Sequence, residues 1–146
     1  MKAENYTKVE IPSNSSNEGF ARTAAACFAA QMDPTLEEIN DIKTAVSEAV
    51  TNAIVHAYPN EIGKIQLKLA IKEGNMLEIT VRDWGVGIPD VEQARQPLFT
   101  TGNEERSGMG FTIMESFMDV LRVRSIPEKG TTVTMRKRIS RRVGRS

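Results

Sequence analysis

The sequence predicts an α/β two-layer sandwich, a mixed, mostly antiparallel sheet with its helices on one face. Three observations lead there. Two pairs of alternating segments joined by short turns read as hairpins: KIQLKLAIK with LEITVRDW across EGN, and VLRVRSI with TTVTMRKRI across PEKG. Other segments repeat their apolar residues at helical spacing. Strands and helices that each have one apolar side bury it by packing as two layers. At 146 residues the chain is long enough for one sizeable core and too short for two.

The elements follow in order. YTKVEIP alternates as a short strand, and SNSSNEG offers capping residues ahead of FARTAAACFAAQM, a run of strong helix formers. DPT breaks that helix and caps the next, with Asp33 or Thr35 as N-cap and Glu38 placed for a capping box with Thr35. The second helix should run to about Ala57, ended by Pro59. The first hairpin comes next, then a glycine-rich, aperiodic stretch from Gly85 to Gly108, then the helix FTIMESFM and the second hairpin. Neither an internal repeat nor a low-complexity linker interrupts this order.

Composition narrows the function classes. The chain is 40% hydrophobic and 26% charged, as soluble domains are, and no run reaches the roughly 18 apolar residues of a membrane span. The N-terminus MKAENYTKVEIPS has no signal-peptide pattern. A cytoplasmic protein with no membrane partner is expected. The lone Cys27 cannot form an internal disulfide and should pack as a small apolar group. Net charge is zero, yet MRKRISRRVGRS, from Met135, holds six basic residues and no acid. This places a domain over residues 1–135 and a solvated, disordered basic tail over 136–146, with no direct contact to nucleic acid.

Three stretches carry candidate chemistry. In VSEAVTNAIVHAY, Ile39, Ile42, Val46, Ala49, Val50, Ala53 and Ala57 share one helical face, and Glu48, Asn52 and His56 form a polar stripe along its border. Alone, this is an ordinary exposed stripe. One histidine and one cysteine cannot fill the usual zinc ligand sets. In RDWGVGIPD, Asp83 ends a strand ahead of Gly85 and Gly87. A carboxylate there can accept from an exocyclic amine, and glycines let the backbone approach a flat ring. Alone, this is a turn leaving a strand. In TTGNEERSGMGF, Ser107, Gly108 and Gly110 precede a helix whose free amides suit phosphate, and Arg106 adds charge. The long connection VEQARQPLFTTGNEERSGMG has the length of a lid.

Together these stretches resemble the GHKL (Bergerat) ATP-binding fold. Glu48 and Asn52 in SEAVTNA match its N box, Asp83, Gly85 and Gly87 in DWGVG its G1 box, Gly108 and Gly110 in SGMG its G2 box, and Gly130 with Thr131 its G3 box. Within that superfamily MDPTLEE, IKTAVSEAVTNAIVHAY, ARQPLFTT and RSGMGFTIMESFMD resemble the anti-sigma-F factors, the stage II sporulation AB family. The likeness covers Phe20 to Thr132, with Trp84 standing where the family carries an acid.

The resemblance implies a serine-protein kinase that binds ATP or ADP with Mg²⁺. Asn52 would ligate the metal, and Asp83 would read the adenine amine with support from Thr131. Gly85, Gly87 and Thr101 would belong to the nucleotide site, Arg106, Ser107, Gly108, Met109 and Gly110 would surround the phosphates under a lid from about Pro97, and Glu48 would be the general base. His56 reads as structural. The implied partners are sigma-F, held away from RNA polymerase, an anti-anti-sigma factor phosphorylated on serine, and a second copy in a homodimer, with Arg22 on the partner surface. Two other classes remain: a related stress-response anti-sigma kinase, and a GHKL nucleotide-binding module without kinase activity.

Overall fold

The computed structural model describes residues 3–96 and 110–140. Five strands form one sheet in the order β1-β2-β3-β5-β4: β1 (Ala3–Pro12), β2 (Lys64–Lys72), β3 (Met76–Asp83), β4 (Val120–Ile126) and β5 (Gly130–Arg138). All four pairings are antiparallel, so the expected mixed sheet is an antiparallel one. The helices are α1 (Asn17–Ala29), α2 (Leu36–Asn52), α3 (Val91–Ala94) and α4 (Gly110–Phe117).

Alternation builds the core. Ile65, Leu67 and Leu69 of β2, Leu77, Ile79 and Val81 of β3, and Val133 and Met135 of β5 are buried on the helical side. In register Leu69 faces Ile79, and Ile79 faces Met135. Onto them α2 lays Ile42, Val46, Ala49 and Val50, all buried as the helical period requires. Ile39, at the margin of that face, is half-buried against the core. The alanines of α1, Ala21, Ala25 and Ala29, let it pack closely on α2.

Thr35 is the N-cap of α2, accepting from the Glu38 amide at 3.0 Å while Glu38 accepts from the Thr35 amide at 2.8 Å. The capping box stands as read. At the other end α2 does not reach Ala57 as an α-helix, for Ala53–Ala57 form a π turn. The wider turn delivers the Ala57 carbonyl to the Val86 amide at 3.0 Å, a long-range bond that a helical periodicity cannot announce.

Four further expectations are corrected. Ser16 makes no side-chain cap on α1, because Asn14 takes its amide and hydroxyl. The stretch from Gly85, read as aperiodic, contains α3, capped by Asp90 on the Gln93 amide at 3.0 Å. Cys27 is exposed on α1, since the face buried there is the one carrying Ala21, Ala25 and Phe28. Finally, Arg136, Lys137 and Arg138 belong to β5, and Ile139 is buried behind them. Their charges are met by groups distant in sequence: Arg136 pairs with Glu78 at 2.8 Å and Lys137 with Asp41 at 3.3 Å. Residues 141–146 of the expected tail lie outside the described residues.

Candidate functional site

The end of β3, the start of β5 and the last turns of α2 meet at one edge of the sandwich. Placing β5 beside β3 brings Thr132 opposite Arg82, so Thr131 lies next to Asp83. Between sheet and helix lies a cavity of about 550 Å³, within the range of small-molecule sites. Asn52 and His56 line it from the helix side, Asp83 and Thr131 from the sheet, and Gly87 and Gly110 from the flanking segments. Its walls are apolar, with Ala49, Ala53, Val81, Ile88, Phe111 and Val133.

Of the carboxylates that line it, Asp83, Asp90 and Glu128, Asp83 is the buried one, 7% exposed. One oxygen, Oδ1, accepts from the Gly85 amide at 3.0 Å and the Thr131 amide at 3.1 Å. The second oxygen has no hydrogen-bond partner among the described residues. Burial pushes the carboxyl above its ordinary value, and the two amides pull it only part of the way back. The result is a fixed carboxylate with one acceptor oxygen to spare in a largely apolar pocket. Thr131 supports it through the main chain, while its hydroxyl shares a 2.8 Å hydrogen bond with Ser125, which also accepts from the Ile88 amide at 2.7 Å.

The two glycines of DWGVG have different work. Gly87 lines the cavity at φ +79°, and a Cβ there would stand 2.5 Å from the Ile126 carbonyl oxygen. Gly85 does not line it. A Cβ on Gly85 would collide with the Ala57 carbonyl, so its bareness serves the approach of the π turn, where the sequence suggested approach to a ring.

Asn52, half-buried, faces the beginning of α4: a Cβ on Gly110 would lie 3.1 Å from its Nδ2 and 3.2 Å from its Oδ1. Gly110 therefore keeps room for this amide beside the amides of a helix N-terminus, an arrangement suited to an anion and its counter-cation. Glu48 is not among the cavity residues. One turn before Asn52, it lines a separate groove between α1 and α2 with Arg22, Lys43 and Ser47. Arg22 of that groove also forms an i,i+4 ion pair with Glu18 at 3.1 Å whose geometry is not that of a hydrogen bond. Thr101, Arg106, Ser107, Gly108 and Met109 lie outside the described residues.

The structure adds residues that motif reading passed over. Val81 and Val133 stand two positions from Asp83 and Thr131, so strand alternation puts them on the same inward face. Ser125 and Tyr58 left no such signal, since each acts through backbone partners met only on folding.

A purine nucleotide fits what is present: apolar walls for a flat ring, a carboxylate for its amine, and at the other side Asn52 with a helix N-terminus for charged oxygens. No group of three or more His, Cys, Asp or Glu side chains gathers as a metal cluster among the described residues.

Comparison with known proteins agrees with this geometry. Residues 11–137 match the histidine kinase-like ATPase domain family. The anti-sigma F factor of Caldanaerobacter subterraneus subsp. tengcongensis is 58% identical over 97% of this chain and 99% of its own length. That of Geobacillus kaustophilus is 55% identical over 94% of each. Among solved structures, the RsbU and RsbW domains of a Mycobacterium tuberculosis protein superpose with TM-score 0.68 over 94% of this chain and 32% of that one. A mycobacterial sensor histidine kinase superposes with TM-score 0.56 over 68% and 70%. At 20% and 22% identity these two speak for the fold alone. With an ATPase-domain match across most of its length and near-complete relatives at more than half identity, the chain belongs to the anti-sigma F factor family.

Proposed function

We propose that the protein is an ATP-dependent serine kinase and anti-sigma factor: it sequesters sigma-F and phosphorylates a serine of the anti-anti-sigma factor that would otherwise release it. The observation that carries the nucleotide half is Asp83, buried in an apolar cavity with one oxygen spent on two amides and Asn52 across from it. The sigma-F half rests on the relatives, which are anti-sigma F factors over nearly their whole lengths.

Asp83 accepts from the adenine amine while Val81, Ile88 and Val133 hold the ring. Asn52 would hold Mg²⁺ through its side-chain oxygen, and the cation would supply neutralisation of phosphate charge. As the family resemblance implies, Arg106, Ser107, Gly108, Met109 and Gly110 would serve the phosphates and Thr101 the nucleotide. Glu48 takes the proton of the partner's serine hydroxyl as its oxygen bonds to the γ-phosphorus and the bond to ADP breaks. A group serving an incoming protein belongs outside the adenine cavity, and Glu48 lies in the neighbouring groove beside Arg22, the expected partner contact. The family resemblance implies that the protein does this as a homodimer.

The test combines capture and transfer. Tagged protein is offered a sporulating lysate with Mg-ATP, with Mg-ADP and without nucleotide. A sigma factor retained with nucleotide, and a small serine-phosphorylated protein accumulating with ATP, are the expected results. Glu48→Gln should keep ATP affinity within about twofold and slow transfer by roughly 100-fold or more, the usual share of a general base. Transfer by this variant at the wild-type rate would remove Glu48 from its role.

A further inference from the structure

We propose that the Tyr58 hydroxyl is a positioning group for adenine recognition, pinning the strand end that carries Asp83 to the closing turn of α2. The proposal rests on the reading that Asp83 accepts from the adenine amine.

Tyr58 follows the π turn directly and is 8% exposed. Its hydroxyl donates to the Lys64 carbonyl at 2.6 Å and accepts from the Trp84 amide at 2.8 Å. These two groups are neighbours in a particular sense. The β2-β3 ladder ends at the pair Ile65 and Asp83, and Lys64 with Trp84 would be its next rung. The phenol oxygen occupies that rung and bridges both sides of it.

The bridge bears on the carboxylate through the following two residues. The Trp84 amide is held by Tyr58 and the Val86 amide by the Ala57 carbonyl at 3.0 Å. Between these fixed points lies Gly85, whose amide donates to Asp83 Oδ1 at 3.0 Å. Consecutive residues 57 and 58 thus suspend the whole 84–86 turn, and the turn supplies one of the two donors that orient the carboxylate. The phenol ring itself packs over Gly63, where a Cβ would collide with it. Gly63 is in turn joined to Ser13 by two hydrogen bonds, of 2.8 and 2.9 Å. Packing and pinning are therefore separable, because Tyr58→Phe keeps the ring against Gly63 and removes only the bridge.

A residue that merely stabilises the fold would affect all nucleotides alike. A residue that aims Asp83 would matter for the exocyclic amine in particular. The experiment compares the affinity of ATP with that of purine riboside triphosphate, which lacks the amine, by calorimetry on the wild-type protein and on Tyr58→Phe, with melting temperature recorded for each. The wild-type protein should prefer ATP. In Tyr58→Phe that preference should shrink at least fivefold through weaker ATP binding, while affinity for the purine analogue stays within twofold. If the variant retains the wild-type preference, or loses affinity for both nucleotides equally, Tyr58 is a structural residue and the proposal is wrong. If the wild-type protein shows no preference, Asp83 does not read the amine, and the proposal falls with that reading.

Discussion

Asp83 shows how one residue can be costly to the fold and useful to the site. Its carboxyl is raised above the ordinary 3.8 because burial outweighs the amides of Gly85 and Thr131. A folded-state pKa above the unfolded one means that the folded chain holds this proton more tightly. The group's contribution to stability is therefore greatest below the unfolded value and is lost as the pH rises through the folded one. At neutral pH the buried charge is a burden on folding. Ligand binding runs the other way, because an amine donates a stronger, charge-assisted hydrogen bond to the ionised form of Asp83. The preference for ATP over purine riboside triphosphate should thus fall as the pH is lowered from neutrality into the acid range. Comparing two triphosphates cancels the titration of the phosphates themselves. In Asp83→Asn the preference should be smaller at neutral pH and flat across the range, as measured by calorimetric titration at several pH values. A wild-type preference that rose on acidification would contradict this assignment.

Among the elements, α2 joins the two halves of the molecule. Its first turn is fixed by Thr35 and Glu38, and the π turn that follows it by the Ala57 carbonyl on the Val86 amide. Thr35→Ala removes the acceptor for the Glu38 amide and should cost about 1 kcal/mol, lowering the melting temperature by roughly 3 °C. Thermal unfolding checks this, and an unchanged melting temperature would mean that the cap is redundant. This cap was legible because T-x-x-E is local, as were the hairpins, whose turns and alternation lie within a few residues of one another. Strand end and helix stripe alone read as a turn and an exposed stripe, and it was the resemblance to the GHKL boxes that singled out Asp83 and Asn52. The π turn, the Gly85 approach and the Ser125 bridge were not legible, since each depends on partners dozens of residues away. Gly85 is the instructive case. Its presence in D-x-G-x-G was noted, but the atom it makes room for is a helix carbonyl, which only the fold reveals.

At the scale of the whole molecule, the sheet has a cavity at one end and hydrogen-bonded closure at the other. The cavity lies at the start of β5, and the other end of that strand is closed by Ile139 and Ser140. Ile139 is 1% exposed, its amide donates to the Asn75 carbonyl at 2.9 Å, and its carbonyl accepts from Asn75 Nδ2 at 2.6 Å. Ser140 donates its amide to Glu38 at 2.8 Å, so the carboxylate that completes the α2 cap also fastens the end of the sheet. Nearby, Arg136 of β5 and Lys72 of β2 outweigh the burial that would raise Glu78, and hold its carboxyl below the ordinary 4.5. Charge counting assigned this segment to a solvated tail because the acids that meet it are scattered over β3 and α2. The fold places residues 136–138 in the sheet and Ile139 in the core. Ile139→Ala should then cost about 3 kcal/mol in urea unfolding, as for other fully buried large-to-small changes. Thr131 and Ile139 are eight residues apart on an extended strand, roughly 26 Å, a separation at which two sites act independently. ATP affinity below the unfolding transition should accordingly stay at the wild-type level. A solvated tail would give no loss of stability, and a loss of affinity in the folded variant would show that the two ends of the sheet are coupled.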